Sequence, residues 1–179
     1  MRIPVVCTVL AFGLAACHGT TSYVSGGGLA NVRQGLPDAA PCNDLEQQGT
    51  EVDLMASRTA PPRATGGTIE DGTYVLTTST LHTRDTPAGT KLVTFGKITM
   101  IVKSGAAQLV KTDAEGHMRR TSVKRTTSGT ITLSTTTCAS PVANDGPESS
   151  SVEYKATSNT VQFITPGPAG TVVATYTRL

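Results

Sequence analysis

The chain has no tryptophan, few aromatic residues (4%) and few charged ones (16%) across its 179 residues. Without large rings any core must be built from aliphatic side chains. A formal net charge of +2 gives no basic field, which argues against nucleic acid as a partner. No apolar run approaches the roughly 20 residues that a membrane-spanning helix requires. No window carries a helix-period apolar stripe longer than two turns. Gly-x-Ser-x-Gly, a phosphate-binding glycine loop, His-Glu-x-x-His and Cys-x-x-Cys are all missing. With no catalytic constellation, the expectation is a protein that is not an enzyme and holds neither cofactor nor metal. The length suits one domain with a sizeable core. What the chain has in abundance is threonine and glycine, the material of strands and turns.

The N-terminus reads as an export signal. Met1-Arg2 is a short basic region, and Ile3 to Leu14 is an apolar stretch too short to span a bilayer. It leads directly into Leu14-Ala15-Ala16-Cys17, which resembles a bacterial lipobox. That resemblance implies diacylglyceryl transfer to the Cys17 thiol, cleavage before Cys17, and N-acylation of the palmitate kind. Each buried methylene contributes about 0.8 kcal/mol, so two or three chains make a lasting anchor. His18, where an aspartate would retain the product at the inner membrane, implies the outer membrane. The expected layout is a signal peptide (1–16), a flexible tether from lipidated Cys17 (17–41), a lead-in (42–66) and a β-domain (67–179). The tether is rich in Gly, Ser, Thr and Ala. The bilayer, reached through the anchor, is the partner this predicts, and the domain is expected to be monomeric.

Of four cysteines, Cys7 leaves with the signal and Cys17 carries lipid. Cys42 and Cys138 remain, and in an oxidising compartment they are expected to pair. Closing a loop of about 100 residues in this way gives roughly 4–5 kcal/mol on chain-entropy grounds. The lead-in would then be pinned to the domain by Cys42. It contains a helical turn over 44–48 and a short alternation, Val52 and Leu54, before Ala60-Pro61-Pro62 breaks regular structure.

Gly66-Gly67 to Gly72 is a turn-forming cluster that opens the first clear strand. Eight strands are expected, at 73–83, 92–103, 107–112, 117–127, 130–138, 151–157, 160–165 and 171–178, separated by Gly, Pro, Ser and Asn signals. Short connections describe an antiparallel up-and-down meander, closed into an eight-stranded barrel; a β-sandwich is the alternative. Alternation places Val75, Ile98, Met100, Val102, Ile131, Leu133, Val161, Phe163, Val172 and Tyr176 inside. The strand at 117–127 has no apolar face. It is either an edge protected by charge or the wall of a polar mouth.

Gly72-Thr73-Tyr74 at the head of the first strand, with Arg178 ending the last, resembles the lipocalin-like (calycin) arrangement. There a Gly-x-Trp opens the barrel and a late Arg packs across the ring; Tyr74 stands in place of Trp. The resemblance implies that Gly72, Tyr74 and Arg178 close the barrel. Lipobox, Cys42-Asn43, Gly66-Gly67-Thr68-Ile69-x-Asp71-Gly72-Thr73-Tyr74 and Thr137-Cys138 together are similar to an uncharacterised group of bacterial lipoproteins, which implies fold and location but no activity. Two functions follow as expectations. One is an envelope lipoprotein whose barrel binds a small apolar or amphipathic ligand. The other is a surface structural or protein-interaction module whose barrel is filled by side chains.

Other polar clusters read as scaffold. Asp113, Glu115 and His117 could face a cation, yet fit a solvated hairpin better. Glu70-Asp71 suits turn chemistry, His82 ends a strand with no orienting partner, and Arg119, Arg120, Lys124 and Arg125 read as a solvated basic strand.

Overall fold

The computed structural model describes residues 42–140 and 149–179. The expected signal peptide (1–16), Cys17 and the expected tether (17–41) lie outside the described residues. Among those described the structure is all-β, with no helix and nine strands in a single sheet. They are β1 (Val52–Ser57), β2 (Gly72–His82), β3 (Lys91–Lys103), β4 (Ala106–Thr112), β5 (Met118–Ser128), β6 (Ile131–Ser140), β7 (Ser149–Ala156), β8 (Thr160–Gly167) and β9 (Gly170–Arg178). Each neighbours the next in sequence, and β9 returns to pair with β2, so the sheet rings round on itself. The strands do not divide into two sheets.

The eight expected strands correspond to β2–β9, and β1 is an addition. Its place follows from a split between its neighbours. β2 pairs with β3 only over Gly72–Val75 opposite Thr99–Val102. Beyond that the two strands diverge, and β1 fills the gap, parallel to β2 (Leu54↔Ser79 to Ser57↔His82) and antiparallel to β3. The backbone donors and acceptors that the divergence would leave open are thereby paired. The stretch at 44–48 is not helical; its backbone is recruited by the sheet instead, as described below.

Turn chemistry sets the register. Ser104 and Gly105 both have positive φ (49° and 77°), the signature of the type I′ turn whose twist matches a two-residue hairpin. Gly129-Thr130 joins β5 to β6 with Ser128 opposite Ile131. That register corrects the expected face of β6. Thr132 is fully buried, while Ile131 and Leu133 are each 46% exposed. On β2 the inward residues are Tyr74 and Leu76, and Val75, though buried, lies outside the main cluster. Val172 is half-buried, beside buried Val173 and Ala174. Ile98, Met100, Val102, Val161, Phe163 and Tyr176 do form the core, joined by Tyr74, Leu76 and Tyr154. Phe163 meets Tyr176 edge-on at 5.6 Å, a favoured aromatic geometry. The core is therefore less purely aliphatic than the composition implies, because most of the few rings are gathered in it.

Cys42 and Cys138 are disulfide-bonded, 96 positions apart. Residues 42–50 lie as a strap across the outer face of β3, β4 and β5. Asn43 Nδ2 donates to the Thr121 carbonyl at 3.2 Å, and Gln47 Nε2 to the Lys97 carbonyl at 3.0 Å. The fully buried Thr99 hydroxyl accepts from the backbone N–H of Gln48 (2.8 Å) and Gly49 (3.1 Å). A Cβ at Gly49 would lie 2.9 Å from the Ile98 carbonyl, so this approach of two backbones requires glycine.

Candidate functional site

The chain crosses one end of the ring just before β2, and the Gly66-Gly67 pair makes the crossing possible. Gly66 exchanges backbone hydrogen bonds with β7, donating to the Tyr154 carbonyl (2.9 Å) and accepting from Ala156 N–H (2.8 Å). It has φ 65°, and a Cβ there would sit 2.3 Å from the Gly129 carbonyl. The Tyr154 hydroxyl donates to the Gly67 carbonyl at 2.9 Å. Tyr74 is fully buried and donates its hydroxyl to the Glu70 carbonyl at 2.8 Å. Two core phenols thus hold the crossing segment from below. Asp71 reaches across to accept the Ser104 N–H at 3.0 Å, 33 positions away, so it ties the segment to the β3–β4 turn rather than to the nearby backbone of its own turn.

Between this segment and the ends of β3 and β5 lies a cleft of about 230 Å³, lined by Gly67, Thr68, Ile69, Val102, Gly105, Arg125 and Thr127. Arg125 dominates it. The residue is half-buried, but both terminal guanidinium nitrogens are sealed from solvent and donate to no protein acceptor among the described residues. The guanidinium carbon lies 5.6 Å from the centre of the Phe163 ring. Burial lowers the affinity of Arg125 for its proton, and the phenols of Tyr154 and Tyr74 oppose that shift. Tyr74 is held above the usual phenol range, burial first, with Arg178 and Arg125 pulling the other way.

Gly72, Tyr74 and Arg178 are brought together. Tyr74 and Arg178 are register partners in the β2–β9 ladder. The Arg178 guanidinium lies over Gly72, where a Cβ would come within 2.6 Å of its Nε. The basic set on β5, by contrast, is dispersed. β5 is paired on both sides, so it is not an edge. Arg120 faces outward and donates to the Leu45 carbonyl of the strap, and Lys124 is exposed. Arg119 shares the inward face and stands opposite Lys111. Lys111 sits 4.7 Å over the Phe95 ring, its proton affinity lowered chiefly by burial. The strand read as a solvated basic face thus turns Arg125 inward. The available signal was that Arg125 shares its face with Val123, the one aliphatic β-branched residue of that strand.

Asp113, Glu115 and His117 place their ligand atoms within 4.8 Å of one another. The Asp113 carboxylate is already engaged by its own turn, accepting the N–H groups of Glu115 (3.1 Å) and His117 (2.8 Å). Its proton affinity is lowered despite the opposing effect of desolvation, through these bonds and the His117 ring. The His82 Nδ1 lies 2.9 Å from the Thr59 carbonyl, which fixes a proton on that nitrogen and leaves the ring as a cross-strand brace.

No protein-family model, no curated protein and no solved structure matches this chain.

Proposed function

We propose that the chain is a membrane-anchored envelope lipoprotein, held in the outer membrane through acylated Cys17. On this reading its ring of strands is a lipocalin-like barrel that takes up a small apolar or amphipathic ligand without chemical turnover. The cycle β2–β9 supports the eight-stranded element, with β1 a wedge let into it. A closed sheet of that size has an interior just wide enough for side chains or one small ligand. Here Tyr74, Met100, Tyr154, Phe163 and Tyr176 fill much of the interior, which leaves the end of the barrel as ligand space. Gly72, Tyr74 and Arg178 act as its closure, joining first and last barrel strands.

The observation that carries the ligand reading is the cleft of about 230 Å³ under the Gly66–Gly72 crossing. It falls below the roughly 300–1,000 Å³ of pockets for drug-sized molecules, so the occupant is small. Ile69 and Val102 offer apolar contact, and Thr68, Thr127 and Arg125 offer polar contact. A second reading, an interaction module without ligand, is favoured by the exposed Ile131 and Leu133 on the outer face of β6.

Two experiments test the proposal. Cys17→Ser is expected to abolish fatty-acid labelling and to move the protein out of the membrane fraction; continued labelling would remove the anchor. Titration of the full-length Cys17→Ser chain with a six-carbon amphiphile should shift the amide resonances of Gly67, Ile69 and Gly105 saturably. An absence of such shifts for every amphiphile tried would leave the interaction-module reading in possession.

A further inference from the structure

A buried guanidinium with no acceptor is an expensive thing for a fold to retain. Ionised side chains taken from water lose hydration that only pairing makes good. Both terminal nitrogens of Arg125 are nevertheless sealed and without a protein acceptor among the described residues. The ionisable groups that act on it are two phenols, Tyr154 and Tyr74, and both hydroxyls donate to main-chain carbonyls. Among the described residues neither acidic residue of the crossing segment serves it: Asp71 accepts the Ser104 N–H, and the Glu70 carboxylate forms no salt bridge. Phe163 lies beside the guanidinium, a contact that favours the cation and fixes its plane.

We propose that the cleft is a carboxylate-recognition site in which Arg125, whose terminal nitrogens are sealed in this structure, turns its guanidinium into the cleft it lines to receive the anionic head of a small ligand, with Ile69 and Val102 against its apolar body. The inference deepens the ligand-binding reading above and rests on it. A carboxylate is favoured among anions because one planar guanidinium matches it in a bidentate pair, and among the described residues no second cation lines the cleft to balance a doubly charged phosphate. The Thr68 and Thr127 hydroxyls stand in the same lining as further donors.

The test uses the full-length Cys17→Ser chain, labelled with ¹⁵N at arginine, titrated with hexanoate, hexanol and inorganic phosphate. Hexanoate is expected to move the Arg125 Nε–H resonance saturably and to bind at least tenfold more tightly than hexanol. Arg125→Gln should abolish that preference, and Arg125→Lys should keep only part of it. Equal binding of hexanoate and hexanol would overturn the carboxylate inference while leaving a ligand-binding barrel standing. Binding of neither would overturn both. Tighter binding of phosphate than of hexanoate would overturn the choice of anion. Should Arg125→Gln fail to fold, the hexanoate–hexanol comparison on the chain that retains Arg125, with its Nε–H readout, still decides the matter.

Discussion

Under the strap, Thr99 is fully buried and its hydroxyl accepts two backbone N–H groups, while Gln47 and Asn43 spend their amides on strand carbonyls. On the other side of the same sheet, Ser79 Oγ, Thr132 Oγ1 and both terminal nitrogens of Arg125 are buried without a protein partner among the described residues. Similar residue types are used in both places, at similar depth, to different effect. A buried polar group that is bonded adds about 1 kcal/mol, and one left unbonded loses about 1–3 kcal/mol. The strap therefore reads as structure and the interior polar groups as something the fold tolerates. That contrast is what directs attention to the cleft rather than to the better-connected outer face.

The largest effect that could break this contrast is loss of the crosslink that holds the strap. Cys42→Ser, or reduction of the native chain, is expected to lower unfolding free energy by about 2–5 kcal/mol. Chemical denaturation with and without reductant measures it. A shift under about 1 kcal/mol, no more than a surface ion pair gives, would mean that the strap holds by its hydrogen bonds alone.

Those bonds are probed next. Thr99→Val keeps the shape and removes the acceptor of Gln48 and Gly49 N–H, and should destabilise by about 1–3 kcal/mol. Thr99→Ser, which keeps the hydroxyl, is the control. If the two variants unfold at the same denaturant concentration, the buried hydroxyl is not what fastens the strap.

The interior answers to alkaline pH. Burial alone pushes the Tyr176 phenol well above its ordinary value, and Tyr74 is raised as well. A phenol whose pKa is higher folded than unfolded keeps its proton in the native state after the unfolded chain has lost it. Its contribution is intact below the unfolded value near 10 and declines above it, by at most about 1.4 kcal/mol per pH unit per group. At pH 11 the loss from Tyr176 alone should be about 1 kcal/mol, and Tyr176→Phe should flatten that part of the profile. A profile unchanged by Tyr176→Phe would show that hydroxide reaches the fold by another route.

Much of the fold was legible because turns and strands are local chemistry. Gly, Ser and Asn mark the hairpins, and Thr, Val and Tyr runs mark β2–β9. β1 was not legible as a strand. It carries only a short apolar alternation, and its partners are halves of β2 and β3 that part company for reasons no local window contains. β6 was misjudged because alternation assumes that apolar residues turn inward. There the two-residue turn at Gly129-Thr130 sets the phase, and Thr132 goes in at the expense of Ile131 and Leu133. The same misreading concealed the candidate site. Arg125 sits in a basic series that resembles a solvated face, although strand alternation puts it on the face opposite Lys124 and Arg120. The disulfide was readable from cysteine count and the expected compartment, whereas the strap it secures was not, because its bonds run from side chains to distant main-chain carbonyls.

The smallest expected effect is the most informative about the cleft. Arg125→Met keeps a long unbranched stem and removes the charge. If the guanidinium were part of the scaffold, its loss should resemble that of Thr99, at about 1–3 kcal/mol. The physical terms point elsewhere. Removing an unpaired buried cation recovers its desolvation penalty, and replacement of buried charge by apolar volume is often neutral or stabilising. Against that stands the contact with Phe163, 5.6 Å from the guanidinium carbon, of a kind that contributes about 0.5–2 kcal/mol. A methionine sulfur beside the same ring restores about 0.3–1.5 kcal/mol of it. The net change should therefore lie within about 1 kcal/mol of zero or on the stabilising side, read from denaturation of the Cys17→Ser chain with and without Arg125→Met. A loss equal to that of Thr99→Val would put Arg125 in the same class as the strap residues and dissolve the contrast. A neutral or stabilising result would mark Arg125 as a charge kept in place for something other than stability.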